Sequence, residues 1–425
     1  LYGANGVLKK RTANGGFLTD IDFKAPLTVT RPDRTGKDYN KDHGFYDKSP
    51  RDVRGIQSPV LSPDGKRVAF IALNDLWVMD IGKKPKQLTN DTYIDWDPSW
   101  SPDGKYIYFA SDRHGDIRMD IYRVLVKTGE VTRIPNDQLD AVIFPRASPD
   151  GKKVAYVNTA HHLKVCEINE LSEECDEILD IKGQQSFLGR PTRSPDSDYI
   201  AVADSRRLTT RFREGYNLIR IVHVETKENR FYMVGEAPFH LSERYEAGPA
   251  WSPDGKWLAF IMSATLHKIE ITDDFYPGTN MPILGDVVKL TDHTSDMPSW
   301  GAVGTATPKI IYMANGVVRT SDADGNWTDI PVKLKYKQAM PHGVTVIHAG
   351  FLWDGVSPVL REDVDIMLVD NRIMQIRDHN PKAKPKAKRF IDASDLTVLP
   401  GLWDSHLHPR VRDYTGGTWA IMLAY

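Results

Sequence analysis

Cysteine is scarce: Cys166 and Cys175 are the only two in 425 residues, so the chain can close at most one internal disulfide. Long apolar runs are missing, and none approaches the roughly 18 residues that a membrane-spanning helix needs. No charge dominates either: 55 Lys and Arg stand against 57 Asp and Glu, a formal charge of −2. Nucleic-acid binders usually carry a basic excess or stripe, so that partner class is not expected. No signal peptide with a charged, then apolar, segment is visible, and the first residue is Leu1 rather than Met. The chain therefore reads as starting internally or after processing. The apolar stretch Trp419 to Tyr425 stops without a turn or cap, which reads as truncation. With 26% charged and 10% aromatic residues, wholesale disorder is excluded. The expectation is a soluble globular chain of two or three domains.

What is present is a repeat. Pro-x-x-Ser-Pro-Asp-Gly recurs at Pro59 to Gly65, Pro98 to Gly104, Pro145 to Gly151 and Pro249 to Gly255. A variant runs from Pro191 to Ser197, and a degenerate copy begins at Pro298 and loses the turn at Trp300-Gly301. The prolines are spaced by 39, 47, 46, 58 and 49 residues. A four-stranded propeller blade takes about 40–50. Ser-Pro-Asp-Gly is a turn sequence: Pro presets φ, Asp bonds its own backbone and Gly tolerates positive φ. Short β-rich runs follow each turn, such as Arg67-Val-Ala-Phe-Ile71 and Trp257-Leu-Ala-Phe-Ile261, and read as buried strands. The blade tails echo one another in Gln87-Leu-Thr-Asn-Asp91 and Lys289-Leu-Thr-Asp-His293.

These residues resemble the six-bladed TolB-type β-propeller family over 51–336. A sandwich of many short strands is the competing fold. The long interval before Pro249 predicts an insertion in blade four, around Leu208 to Tyr216. Residues 1–50 are expected to pack on the propeller's flank or to lend a strand to its last blade.

After Tyr336 the repeat stops. Val344-Thr-Val-Ile-His348, Val364-Asp-Ile-Met-Leu-Val369, Asn371-Arg-Ile-Met-Gln-Ile376 and Phe390 to Pro400 precede Gly401-Leu-Trp-Asp-Ser-His-Leu-His-Pro409. On a strand the side-chain period is two, so Asp404, His406 and His408 share one face. Two imidazoles so placed can ligate one ion, and a neighbouring carboxylate can orient a ring N–H. A His-x-His by itself also occurs on solvated strands. The whole succession, however, resembles the amidohydrolase superfamily (imidazolonepropionase/prolidase-like) over about 345–425.

That resemblance implies a mainly β chain: a six-bladed β-propeller, a small β-sandwich at 337–400, and the first β/α unit of a (β/α)8 barrel at 401–425. It implies His406 and His408 as metal ligands and Asp404 as their supporting carboxylate. The metal would be one or two divalent ions, Zn2+ first, with Fe, Mn or Co as alternatives. The family's further histidines, late aspartate base and carbamylated lysine have no match, so catalytic residues are expected beyond Tyr425, and the segment by itself is expected to be catalytically incomplete. The implied activity is hydrolysis of amide-type C–N bonds in peptide-like or cyclic amide substrates, with the propeller gating access or binding partners. Expected partners are that substrate, the rest of the barrel and a second copy in a homo-oligomer, with no membrane span.

The rival enzyme class, serine peptidases of the prolyl-oligopeptidase type, needs a Gly-x-Ser-x-Gly elbow, which is lacking. The rival non-enzymatic class is a propeller scaffold for protein contacts in the cell envelope. His161 and His162 read as surface histidines, and the basic run Lys382 to Arg389 as a solvated connection. If Ile168 pairs with Glu173 in a hairpin, Cys166 faces Cys175 within disulfide range. Two reduced thiols packed as small apolar groups are the alternative. TolB-type propellers are typically exported, which favours the bridge and a periplasmic or secreted home.

Overall fold

In the computed structural model the repeated turn is one hydrogen-bonded unit. Ser62 Oγ donates to Asp64 Oδ1 (2.5 Å) and accepts from the N–H of Arg67 (2.9 Å), while Asp64 accepts from the N–H of Lys66 (3.1 Å). The same three bonds recur at Ser101/Asp103, Ser148/Asp150, Ser194/Asp196 and Ser252/Asp254. Donation by the serine hydroxyl holds the Asp64 and Asp150 carboxyls below the usual carboxylate range. The structure describes residues 2–4, 7–12, 14–22, 24, 26, 49–114, 118–135, 140–160, 162–168, 175–180, 188–207, 215–235, 241, 248–301, 309–337, 339, 341–383 and 386–401. In the degenerate sixth copy Pro298 to Gly301 lie in the strand Asp296–Gly301, and residues 302–308 lie outside the described residues.

The last turn residue has φ of 67°, 68°, 72° and 78° at Gly65, Gly104, Gly151 and Gly255, and Ser197 holds φ 71° in the fourth copy. A left-handed L-residue costs roughly 1–2 kcal/mol, against roughly 0.5–1 kcal/mol of extra chain entropy for glycine. Ser197→Gly is therefore expected to stabilise the protein by about 0.5–1 kcal/mol. Urea unfolding measures this, and a loss of stability would mean that the Ser197 side chain contributes a bond of its own.

Each turn joins the first strand of a blade to the second. Blade 1 comprises Gln57–Leu61, Arg67–Ala72, Asp75–Asp80 and Lys86–Gln87 in sequential antiparallel order. Five more four-stranded sheets repeat that order and start at Asp95, Val142, Thr192, Ala250 and Asp296. Second strands such as Val68 to Ala72 are buried on both faces, which is why they read as unbroken apolar runs rather than alternating ones.

Six apolar clusters fill the six seams between successive blades. Ala69 and Ile71 of blade 1 share one with Ile107 and Phe109 of blade 2. The series continues to the seam where Phe70 and Met79 of blade 1 meet Ile311 and Met313 of blade 6. The sheets thus close into a six-bladed ring. Arg51–Asp52 pairs antiparallel with Lys335–Tyr336, so the chain entering blade 1 is tied to the chain leaving blade 6. Among the described residues there is no helix.

The chain divides into two compact units, Leu1–Ser49 and Pro50–Tyr425. The described residues of the first unit form a three-stranded sheet of their own (Tyr2–Ala4, Val7–Arg11, Leu18–Ile21), and among the described residues none of these strands pairs with a blade. The extra length of blade 4 lies partly in a long hairpin, Tyr199–Arg207 against Gly215–His223, where blades 1 to 3 use six-residue strands. Residues 208–214, inside the expected insertion, lie outside the described residues.

Where part of a small β-sandwich is expected, the described residues form one four-stranded sheet. Arg372–Asp378, Arg361–Val369 and Val344–Leu352 run antiparallel, and Arg389–Val398 adds on parallel to Val344–Leu352. Ala349, Leu352, Val364 and Ile366 form its core. A Cβ on Gly350 would lie 2.1 Å from the Ser394 carbonyl oxygen, so glycine permits the close approach where the pairing slips. The barrel unit expected at 401–425 lies outside the described residues, Gly401 excepted.

Candidate functional site

Asp404, His406 and His408 all lie outside the described residues, and so does His161. Among the described residues no group of three His, Cys, Asp or Glu side chains could hold a metal ion. His162 is not the surface histidine expected: it is half-buried, with Nδ1 3.0 Å from Glu177 and Nε2 3.4 Å from Asp180. In the basic run, Lys382 and Lys388 are exposed, as a solvated connection requires. Cys166 and Cys175 stand directly opposite each other on paired strands of blade 3 and are joined by a disulfide, with Cα atoms 4.4 Å apart.

The described site with the strongest electrostatic character lies on the propeller axis. A cavity of about 470 Å3 is walled by all six blades, through residues such as Leu61, Trp100, Arg146, Arg193, Trp251 and Ser299. All of these occupy the two variable positions of Pro-x-x-Ser, at the end of each blade's first strand. Just before the proline, Ser58, Asp97 and Phe144 adopt φ of 45°, 45° and 58°, and the pairing of the first and second strands slips there. Such bulges turn the strand and re-aim its side chains.

In blade 2 the bulge places Asp97, 1% exposed, between two arginines. Its Oδ2 is 2.7 Å from Arg146 Nη2 and its Oδ1 is 3.0 Å from Arg190 Nη2. Arg190 is 3% exposed, and a Cβ on Gly248 would lie 2.2 Å from its carbonyl oxygen, so blade 5 closes over it only with glycine. Burial pushes the Arg146 guanidinium down to about 10, against the pull of Asp97 and with that of Arg190. Burial also lowers Arg193, opposed by Asp150 from the neighbouring turn. Nε of Arg190, and Nε and Nη1 of Arg193, are buried and have no hydrogen-bond partner among the described residues. Among the described residues the lining includes no His, Cys, Asp or Glu, and its charged side chains are the guanidinium groups of Arg146, Arg190 and Arg193.

A second cluster sits on the 344–398 sheet. The rings of His348 and His379 stack with centroids 3.6 Å apart at 10°. Each is held by its own carboxylate: His348 Nε2 lies 2.8 Å from Asp363 and His379 Nδ1 lies 2.7 Å from the buried Asp365. The two carboxylates fix the rings separately and do not converge with them on a shared ion.

Reading the sequence for the repeated residues missed Arg146, Arg190, Arg193 and Asp97. The signal was available in the unrepeated ones. Pro, Ser, Asp and Gly build the turn, while Arg146 and Arg193 stand at the variable positions between Pro and Ser, and Asp97 and Arg190 at the variable position just before Pro.

Residues 51–208 match the family described as the TolB beta propeller domain. An uncharacterized protein of Agrobacterium fabrum is 32% identical over 154 residues, covering 33% of this chain and 52% of that protein. The uncharacterized peptidase YuxL of Bacillus subtilis is 26% identical over 226 residues, 50% of this chain and 30% of that one. The Tol-Pal system protein TolB of Francisella tularensis is 45% identical over 58 residues, 14% of this chain and 13% of that protein. The chain thus spans about half, or less, of the length of these relatives. Among solved structures, TolB from Acinetobacter baumannii aligns with a TM-score of 0.40 at 19% identity, covering 55% of this chain and 57% of that one. The six four-stranded sheets thus form a β-propeller whose residues 51–208 match the TolB type.

Proposed function

We propose that this chain carries the propeller and the leading metal-ligand segment of a metal-dependent hydrolase acting on amide-type C–N bonds. The observation that carries the reading is the run Pro400 to Pro409, with Asp404, His406 and His408 at alternate positions, directly after the sheet of residues 344–398. Imidazole nitrogens with a nearby carboxylate are a donor set that suits Zn2+. His406 and His408 would hold the ion, and Asp404 would fix one ring by accepting its N–H. When bound, the ion lowers the pKa of its water towards about 7 and polarises the substrate carbonyl. Two histidines leave coordination positions that other residues have to fill. The partial similarity to a protein named as a peptidase is in keeping with a peptide-like or cyclic amide substrate. The disulfide in blade 3 supports a periplasmic or secreted location, since cytosolic thiols are kept reduced.

A second reading is a non-catalytic propeller scaffold, favoured by an axial cavity without acid–base residues. Metal analysis and amide hydrolysis by the natural full-length protein separate the two. The enzyme reading expects hydrolysis to vanish on chelation, to return with Zn2+, and to be absent from His406→Ala and His408→Ala. Full activity in the metal-free protein removes it. A protein that binds no metal and stays inert towards amides with Zn2+ present supports the scaffold.

A further inference from the structure

We propose that the axial cavity binds an organic carboxylate, the free C-terminus of a short apolar peptide, by ion pairing with Arg193 and the Arg146/Arg190 pair. This stands independently of the metal reading. Three guanidinium groups border the cavity, and one buried carboxylate, Asp97, serves two of them. Among the described residues the balance at the axis is therefore positive, and the counter-charge acting on Arg193 is that of Asp150, from a turn in blade 3. Desolvated positive charge is costly unless an anion compensates it. Buried water would satisfy the spare N–H groups of Arg190 and Arg193 but would leave that charge uncompensated. An anion does both.

The walls decide which anion. Five turn prolines (Pro63, Pro102, Pro149, Pro195 and Pro253) and the rings of Trp100 and Trp251 border the same space. Inorganic phosphate has no apolar surface to lay against them. A peptide end has a carboxylate, which guanidinium groups match in charge and shape, and apolar side chains that gain by leaving water. About 470 Å3 is of small-ligand size and fits the last two residues of a peptide rather than a folded domain.

The test is calorimetric titration of the 425-residue chain with N-acetyl-Leu-Phe as the free acid, with its C-terminal amide, and with inorganic phosphate. The free acid is expected to bind at least about tenfold tighter than the amide, the effect of one charged hydrogen-bonding group. It should also bind tighter than phosphate and weaken as salt rises. Arg193→Gln should weaken the acid by about tenfold and leave the amide unchanged. The acid–amide comparison uses the unaltered chain and does not depend on how the variant folds. Equal binding of acid and amide, binding of neither, or phosphate binding as tightly as the acid overturns the proposal.

Discussion

Asp97→Asn is expected to lower the unfolding free energy by about 3–5 kcal/mol, the usual cost of removing one partner from a buried ion pair. Asp97 sits at a bulge in blade 2 and faces Arg146 of blade 3 and Arg190 at the start of blade 4, so a single carboxylate bridges three blades. Asparagine keeps the volume and removes the charge, leaving two guanidinium groups buried side by side. Burial and Arg190 already push Arg146 down to about 10 with the carboxylate present. Without it both terms act unopposed. Urea unfolding of the variant measures the loss. Replacing Asp97, Arg146 and Arg190 together by apolar residues of similar volume should recover most of it, since no stranded charge remains. A single variant within about 1 kcal/mol of the parent would show that water reaches and solvates the pair.

Reduction of the Cys166–Cys175 bond is expected to cost about 2–3 kcal/mol, the chain entropy released when a loop of this length is opened. The bond closes a separation of 9 residues between neighbouring strands of blade 3. Cys166 is buried in the seam between blades 2 and 3, beside Tyr156, while Cys175 packs at its edge. Dithiothreitol should therefore lower the thermal midpoint of the parent and leave that of Cys166→Ser/Cys175→Ser unmoved. Two thiols titrating in the native protein without reductant would contradict the bridge. The same measurement bears on the compartment, because the bond persists only where the surroundings are oxidising.

The blades were legible in the sequence because a propeller repeats its local problem. Every first-to-second-strand connection must reverse the chain in four residues, and Ser-Pro-Asp-Gly does so wherever it stands. Hence Pro59 to Gly65 and Pro249 to Gly255 could be read identically, and the glycine-to-serine exchange at Ser197 was visible as a departure. The facing of Cys166 and Cys175 was legible for a similar reason: antiparallel register follows from counting along a hairpin. The sheet of residues 344–398 was half legible. Its strands were visible as apolar runs, but whether a second layer covers them depends on elements remote in sequence.

By itself, then, the sequence determined what is local: turn chemistry, strand runs, the number of blades, the cysteine register and the alternation of Asp404, His406 and His408. Only the tertiary structure decided the axial site. Arg146, Arg190 and Arg193 fall in two successive blades, and Asp97 lies some fifty residues before the first of them. All four stand within two residues of the repeat's proline, but nothing in the repeat tells which of them will pair. They meet because ring closure directs the end of every first strand to one axis, and bulges beside the prolines of blades 1, 2, 3 and 6 re-aim their side chains. A charge's partner is set by distance through space, which sequence spacing encodes within a hairpin and not across a ring.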